Sequence, residues 1–95
     1  MILGKIVGTI VTSTKADGFE GVRYLLVDKS NQRGETKGDY IVALDLIGAN
    51  HGELVMISES TSARETLMTT NKPVDALIVG IIDVIDENDT VVYKK

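Results

Sequence analysis

One histidine, five serines and no cysteine set the limits of any chemistry in this 95-residue chain. His51 stands in Gly48-Ala49-Asn50-His51-Gly52, whose two glycines imply a tight, exposed loop. A lone imidazole there is either a general base or a solvated loop side chain. With a single histidine, no two-histidine metal site exists within one subunit. The absence of cysteine excludes disulfides, thiolate zinc sites and cysteine nucleophiles. None of Ser13, Ser30, Ser58, Ser60 and Ser62 sits in a G-x-S-x-G elbow. The glycines at 48 and 52 resemble a phosphate loop only superficially, since the Gly-Lys-Ser/Thr ending is missing. Asp83, Asp86, Glu87 and Asp89 do not have the alternate spacing and central glycine of an EF-hand loop. Residues 86–89 read instead as a solvated hairpin tip. Asp83 interrupts an apolar face and needs a partner if it is buried; Arg64 is a candidate, because a guanidinium forks onto a carboxylate. No catalytic constellation, cofactor site or metal site emerges from these residues.

The elements that would position them are mostly strands. Residues 1–14 read as a strand with Ile2, Gly4, Ile6, Gly8 and Ile10 on one face, and Leu3, Lys5, Val7, Thr9 and Val11 on the other. Two glycines four apart on one strand face predict a bend or a close backbone approach, as at a barrel corner. A polar loop over 15–21 holds Phe19. The next strand, 22–29, sets Tyr24 and Leu26 opposite Leu25 and Val27. Residues 30–38 (SNQRGETKG) have turn chemistry and predict a hairpin tip before a strand over 40–47. A short strand follows over 54–57. Ser62-Ala63-Arg64-Glu65 has the spacing of a capping box and predicts a helix of about two turns through Met68, closed by Asn71 and Pro73.

The run 73–83, PVDALIVGIID, is too rich in Ile and Val for a comfortable helix and carries Gly80 centrally. As a strand it places Ala76, Ile78, Gly80, Ile82 and Val84 on one side, with Leu77, Val79, Ile81 and Ile85 on the other. Both faces are apolar, yet one small domain covers only one. The simplest cover for the second is another copy of the chain. A turn at 87–89 then leads into a last strand over 90–93. This order predicts a mainly β fold: a small closed β-barrel resembling an OB-fold, with one short helix before the last long strand.

Composition narrows the function classes. The length allows one domain, residues 1–95, of modest stability unless it oligomerises. No charged-then-apolar leader and no apolar run of about 20 residues are present, which predicts a cytosolic protein with no membrane partner. A net charge of −4, scattered Lys and Arg, a single Phe and no Trp argue against nucleic acid as a partner. An OB-like module for single-stranded nucleic acid or oligosaccharide is the alternative in the binding class.

Several segments in order resemble the pentameric vertex proteins of bacterial microcompartments, the EutN/CcmL family. MILGKIVGTIVTSTK is similar to the family's first strand, and Gly21-Val22-Arg23-Tyr24-Leu25-Leu26 to the start of its second. Residues 43–49 (ALDLIGA), followed by Gly52-Glu53-Leu54-Val55, resemble its glycine-rich loop, with Asn50 where the family usually has glycine. Ser62-Ala63-Arg64 is similar to the start of its helix, and Pro73-Val74-Asp75-Ala76 through Gly80-Ile81-Ile82-Asp83 to its last long strand. The resemblance implies a five-stranded barrel, a homopentamer and a role in the shell of a microcompartment, where it caps vertices beside hexameric shell proteins. No catalysis and no cofactor are implied. The loop Gly48, Ala49, Asn50, His51 and Gly52 is then the candidate lining of an axial opening. Arg64, Ile81, Ile82 and Asp83 are the candidate subunit interface.

Overall fold

β1 (Ile2–Ile10) pairs on both sides, with β2 (Arg23–Ser30) and with β4 (Leu54–Glu59), both antiparallel. The computed structural model describes residues 1–13, 22–59 and 76–95. Within them β3 (Thr36–Asp45) pairs with β2, and β5 (Ala76–Ile81) closes the circle between β3 and β4. The result is a closed five-stranded barrel in the order β1-β2-β3-β5-β4, with β3 and β5 its parallel pair. A separate two-stranded ribbon follows, β6 (Val84–Glu87) and β7 (Thr90–Lys94). The described residues contain no helix; the helix expected over 62–68, Arg64 and the loop over 15–21 with Phe19 lie outside them.

Alternation fills the barrel. Ile6, Leu25, Val27, Ala43, Val55, Ile57, Ala76 and Ile78 are buried in one cluster, joined by Ala49 from the loop after β3. Gly4 faces inward among them, and a Cβ there would collide with Val27 Cγ1. Its expected close backbone approach is found.

Gly8 does not share Gly4's face. Ile6 is opposite Val27 and Gly8 opposite Leu26, so Val7 is an extra residue in β1. This bulge flips the side-chain parity and turns Gly8 and Ile10 outward, beside Leu26 and Tyr24. β5 behaves in the same way. Ile57 is opposite Ile78 and Met56 opposite Gly80, which leaves Val79 extra. Ile81 therefore turns inward, opposite Val55, and packs on the main core, while Gly80 turns outward. The simple alternation expected for both strands is corrected by these two bulges. A sheet that closes on so few strands must bend sharply, and an extra residue in one strand supplies the bend.

The strand bounds also shift. β1 ends at Ile10, short of residue 14, whereas β3 begins at Thr36 and β4 runs on to Glu59. The hairpin tip expected over 30–38 is found in a shorter form, over 31–35, with Ser30 and Thr36 already paired. The Asn31 carboxamide oxygen accepts from the N–H groups of Arg33 (2.9 Å) and Glu35 (3.0 Å), an Asx-type turn. Beyond the turn, the nearly buried Asp28 carboxylate accepts from Gly38 N (2.9 Å) and Asp39 N (3.1 Å), holding an irregularity where β3 joins β2. The tip between β6 and β7 is a tight turn with Asn88 and Asp89 both at positive φ, 53° and 64°, as a two-residue I′ hairpin requires.

Candidate functional site

Asp45 ends β3, and its side chain is fully excluded from solvent. Its Oδ1 accepts from Ile47 N (3.1 Å) and Gly48 N (3.2 Å), and its Oδ2 from Ala49 N (3.1 Å). Three consecutive backbone donors thus converge on one carboxylate. Arg23, at the start of β2, reaches over the same loop: its Nη2 donates to Ala49 O (3.0 Å) and lies 3.7 Å from Asp45 Oδ2. The Ala49 methyl group is anchored in the core. On the far side Gly52 N donates to Ile6 O (2.8 Å) and Ile6 N to Glu53 O (3.0 Å). The Glu53 side chain accepts from Asn50 N (2.6 Å) and from Lys95 Nζ (2.5 Å).

The loop 46–52 is consequently fixed at both ends and in its middle. Gly48 (φ 80°) and Gly52 (φ 88°) take the left-handed conformation that other residues disfavour. Asn50 has no positive φ, so its place in a glycine-like position carries no backbone strain. Asn50 and His51 are exposed at the tip, beside a half-exposed Ile47. His51 thus has the solvated loop position. Among the described residues no three His, Asp or Glu side chains gather as a metal site would require.

The candidate interface residues are spread over different environments. Ile81 packs on the main core, Ile82 is nearly buried and donates its N–H to Leu54 O (2.9 Å), and Asp83 is exposed. Asp83 therefore needs no buried partner; its carbonyl accepts from Lys95 N (2.8 Å). Lys95 holds Glu53 below its ordinary value of 4.5, chiefly through their hydrogen bond, with help from Asn50 N–H. The same bond raises Lys95 above 10.5.

More telling is the outside of the barrel. An antiparallel barrel in water ordinarily alternates apolar inside with polar outside. Here the outward positions are largely apolar. One row runs Ile10, Tyr24, Leu44, Leu77 across β1, β2, β3 and β5, and Val22 and Leu46 cover it from the same chain. Two other rows are half-open among the described residues. Gly8, Leu26 and Val42 form one on β1, β2 and β3, with Val42 49% exposed. Leu3, Met56 and Gly80 form the other on β1, β4 and β5, with Met56 38% exposed and the bulged Val79 39%. A Cβ on Gly80 would stand 2.8 Å from Met56 Cε, so the Met56 side chain lies across the glycine and flattens this row.

Reading the sequence missed Asp45, Arg23 and Glu53 as loop anchors, and Met56 and Val42 as exposed apolar residues. Asp45 had a visible signal, an aspartate three residues before a glycine at a strand end. Met56 and Val42 had none, because exposure depends on which elements lie above them.

The chain has clear relatives. The family described as "Ethanolamine utilisation protein EutN/carboxysome" matches residues 1–83. A carboxysome shell vertex protein, CcmL of Thermosynechococcus vestitus, is 35% identical over 95 residues, covering all of this chain and 96% of the relative. The structure of Gloeobacter violaceus CcmL superposes with a TM-score of 0.94 at 35% identity, covering all of this chain and 98% of that one. The GrpN pentameric microcompartment shell protein of Rhodospirillum rubrum superposes with a TM-score of 0.82 at 33% identity, over 92% of this chain and 99% of that one.

Proposed function

Because the chain belongs to the EutN/CcmL family, whose members include microcompartment and carboxysome shell vertex proteins, we propose that it is a structural shell protein whose homopentamer caps the vertices of a bacterial microcompartment. The observation that carries this reading is the barrel's open apolar exterior, on a chain that folds like a pentameric shell protein. Exposed Met56, Val42 and Val79 on a barrel this small favour association over a free monomer.

The activity is geometric. A sheet of hexagonal tiles is flat, and closing it into a polyhedron requires five-fold positions. A ring of five barrels fills such a position, and its neighbours are hexameric shell proteins. The work is done by shape and contact, so the protein needs no cofactor and performs no catalysis. It resides in the cytoplasm as part of the shell. Within the ring, we assign the anchored loop over 48–52 to the axial opening, where Asn50 and His51 would set its polarity. Its rigidity supports this role, since an opening keeps its width only if the lining is held.

Native mass spectrometry tests the reading. A particle of five chains is expected at micromolar concentration. A stable monomer, or a closed dimer, overturns it.

A further inference from the structure

We infer that Lys95 is a positioning residue for the loop tip: from the β6–β7 ribbon it orients the Glu53 carboxylate, and Glu53 in turn holds Asn50 and His51 in place. What that tip lines rests on the ring reading above; the tether itself does not.

The two halves of the loop are held by different means. Asp45 takes the N–H groups of Ile47, Gly48 and Ala49, so the first half is fixed from the end of β3. The tip depends on Glu53 instead. Asn50 N donates to Glu53 Oε1 (2.6 Å), and the Asn50 carbonyl accepts from Glu53 N (3.1 Å). His51 lies between these two residues and is exposed.

Glu53 can steady the tip only if its carboxylate is kept from turning. With Oε1 on Asn50, the other oxygen, Oε2, takes the Lys95 ammonium (2.5 Å). A carboxylate whose two oxygens are engaged by different donors has one orientation, and the bond to the ammonium is of the stronger, charge-assisted kind. The Glu53 side chain is only 13% exposed, so water offers it little alternative, whereas Lys95 reaches it from the surface.

The ribbon delivers Lys95 to this place. Lys95 N donates to Asp83 O (2.8 Å), just past the pair Val84 and Lys94, and so closes the base of the ribbon. Farther along, the ribbon is seated on the turn between β2 and β3. Gln32 Nε2 donates to Glu87 Oε1 (2.8 Å), and the Tyr93 ring lies on Gly34, where a Cβ would stand 2.9 Å from its Cδ2. The ribbon therefore runs as a strut from that turn to the loop. Residues 84–95 fall outside the 1–83 matched by the family description, so the order of the tip depends on a contact from beyond the matched barrel.

Hydrogen exchange at the Asn50 amide, read by NMR on the whole chain, tests the tether in wild type, Lys95→Met and Lys95→Arg. Methionine keeps an unbranched stem without the charge, and arginine keeps the charge. Lys95→Met is expected to speed exchange at Asn50 about threefold, the scale of a partly exposed ion pair, with the Val27 amide in β2 unchanged. Lys95→Arg is expected to stay near wild type. Unchanged exchange at Asn50 in Lys95→Met overturns the inference. An equal rise at Val27 overturns it too, because Lys95 would then stabilise the whole fold and position nothing. So does a Lys95→Arg variant as fast as Lys95→Met, since the cation would not be what holds Glu53. None of these readouts depends on where the loop lies in an assembly. A native mass other than five chains overturns the ring reading alone and leaves the tether standing.

Discussion

At Asp45 a solvent-excluded carboxylate takes the N–H groups of Ile47, Gly48 and Ala49, and the Arg23 guanidinium stands beside it. A buried charge is tolerable only when its acceptor capacity is used, and here backbone and guanidinium use it. Removing the carboxylate leaves the donors of 47–49 without an acceptor and Arg23 without its anion. Asp45→Ala is therefore expected to cost about 3 kcal/mol, read as a lowered midpoint in urea denaturation. An unchanged midpoint would mean that the loop finds other acceptors. Gly4 shows the same dependence on close packing. It was legible as a close approach because only a glycine lets the Val27 side chain lie against the backbone. Gly8, four residues on, looks identical in sequence, yet a Cβ there would meet only ordinary contacts at 3.7 Å and 3.9 Å.

At the scale of elements, the ribbon β6–β7 depends on its attachment to the barrel, since a two-stranded hairpin alone is marginal in water. It is tied at its end by Lys95 to Glu53 (2.5 Å) and near its tip by Gln32 Nε2 to Glu87 Oε1 (2.8 Å). The Lys95–Glu53 pair gives a pH dependence whose sign is fixed. Glu53 is held below 4.5 in the fold, so its contribution is present above 4.5 and lost as pH falls through the lowered value. Lys95 is raised above 10.5, so its contribution is complete below 10.5 and lost as pH rises through the raised value. The stability difference between wild type and Glu53→Gln should therefore be level between these limits and close beyond them. A difference that stays constant through acid titration would show that the pair does not stabilise the fold. Strand existence was readable from alternation, as in Tyr24 and Leu26 against Leu25 and Val27. The bulges at Val7 and Val79 were not readable, because an extra residue is defined only by the partner strand opposite it.

On the scale of the whole molecule, the proposed ring gives the axial reading of the loop over 48–52 a symmetry test. In a ring, identical residues approach each other only near the axis; elsewhere a residue meets a different one. If the loop lines the axis, His51→Cys alone should therefore form covalent dimers when treated with a short bifunctional thiol reagent and run under denaturing conditions. A pentamer in which His51→Cys stays monomeric under denaturing conditions would remove the loop from the axis. The apolar excess that motivates assembly was visible first in residues 76–82, where neither face of the strand is polar. Local residue types by themselves determined the strands, the turns within 30–38 and at 87–89, and the family resemblance. What only the tertiary structure decided is where each apolar side chain goes. Leu77 is covered by Leu44, Tyr24, Val22 and Leu46, Ile81 turns into the core, and Met56, Val79 and Val42 are left outside. The reason is that alternation sets only relative facing within one strand. Inside and outside are assigned when distant strands close the barrel, and each bulge reverses the assignment for every residue beyond it.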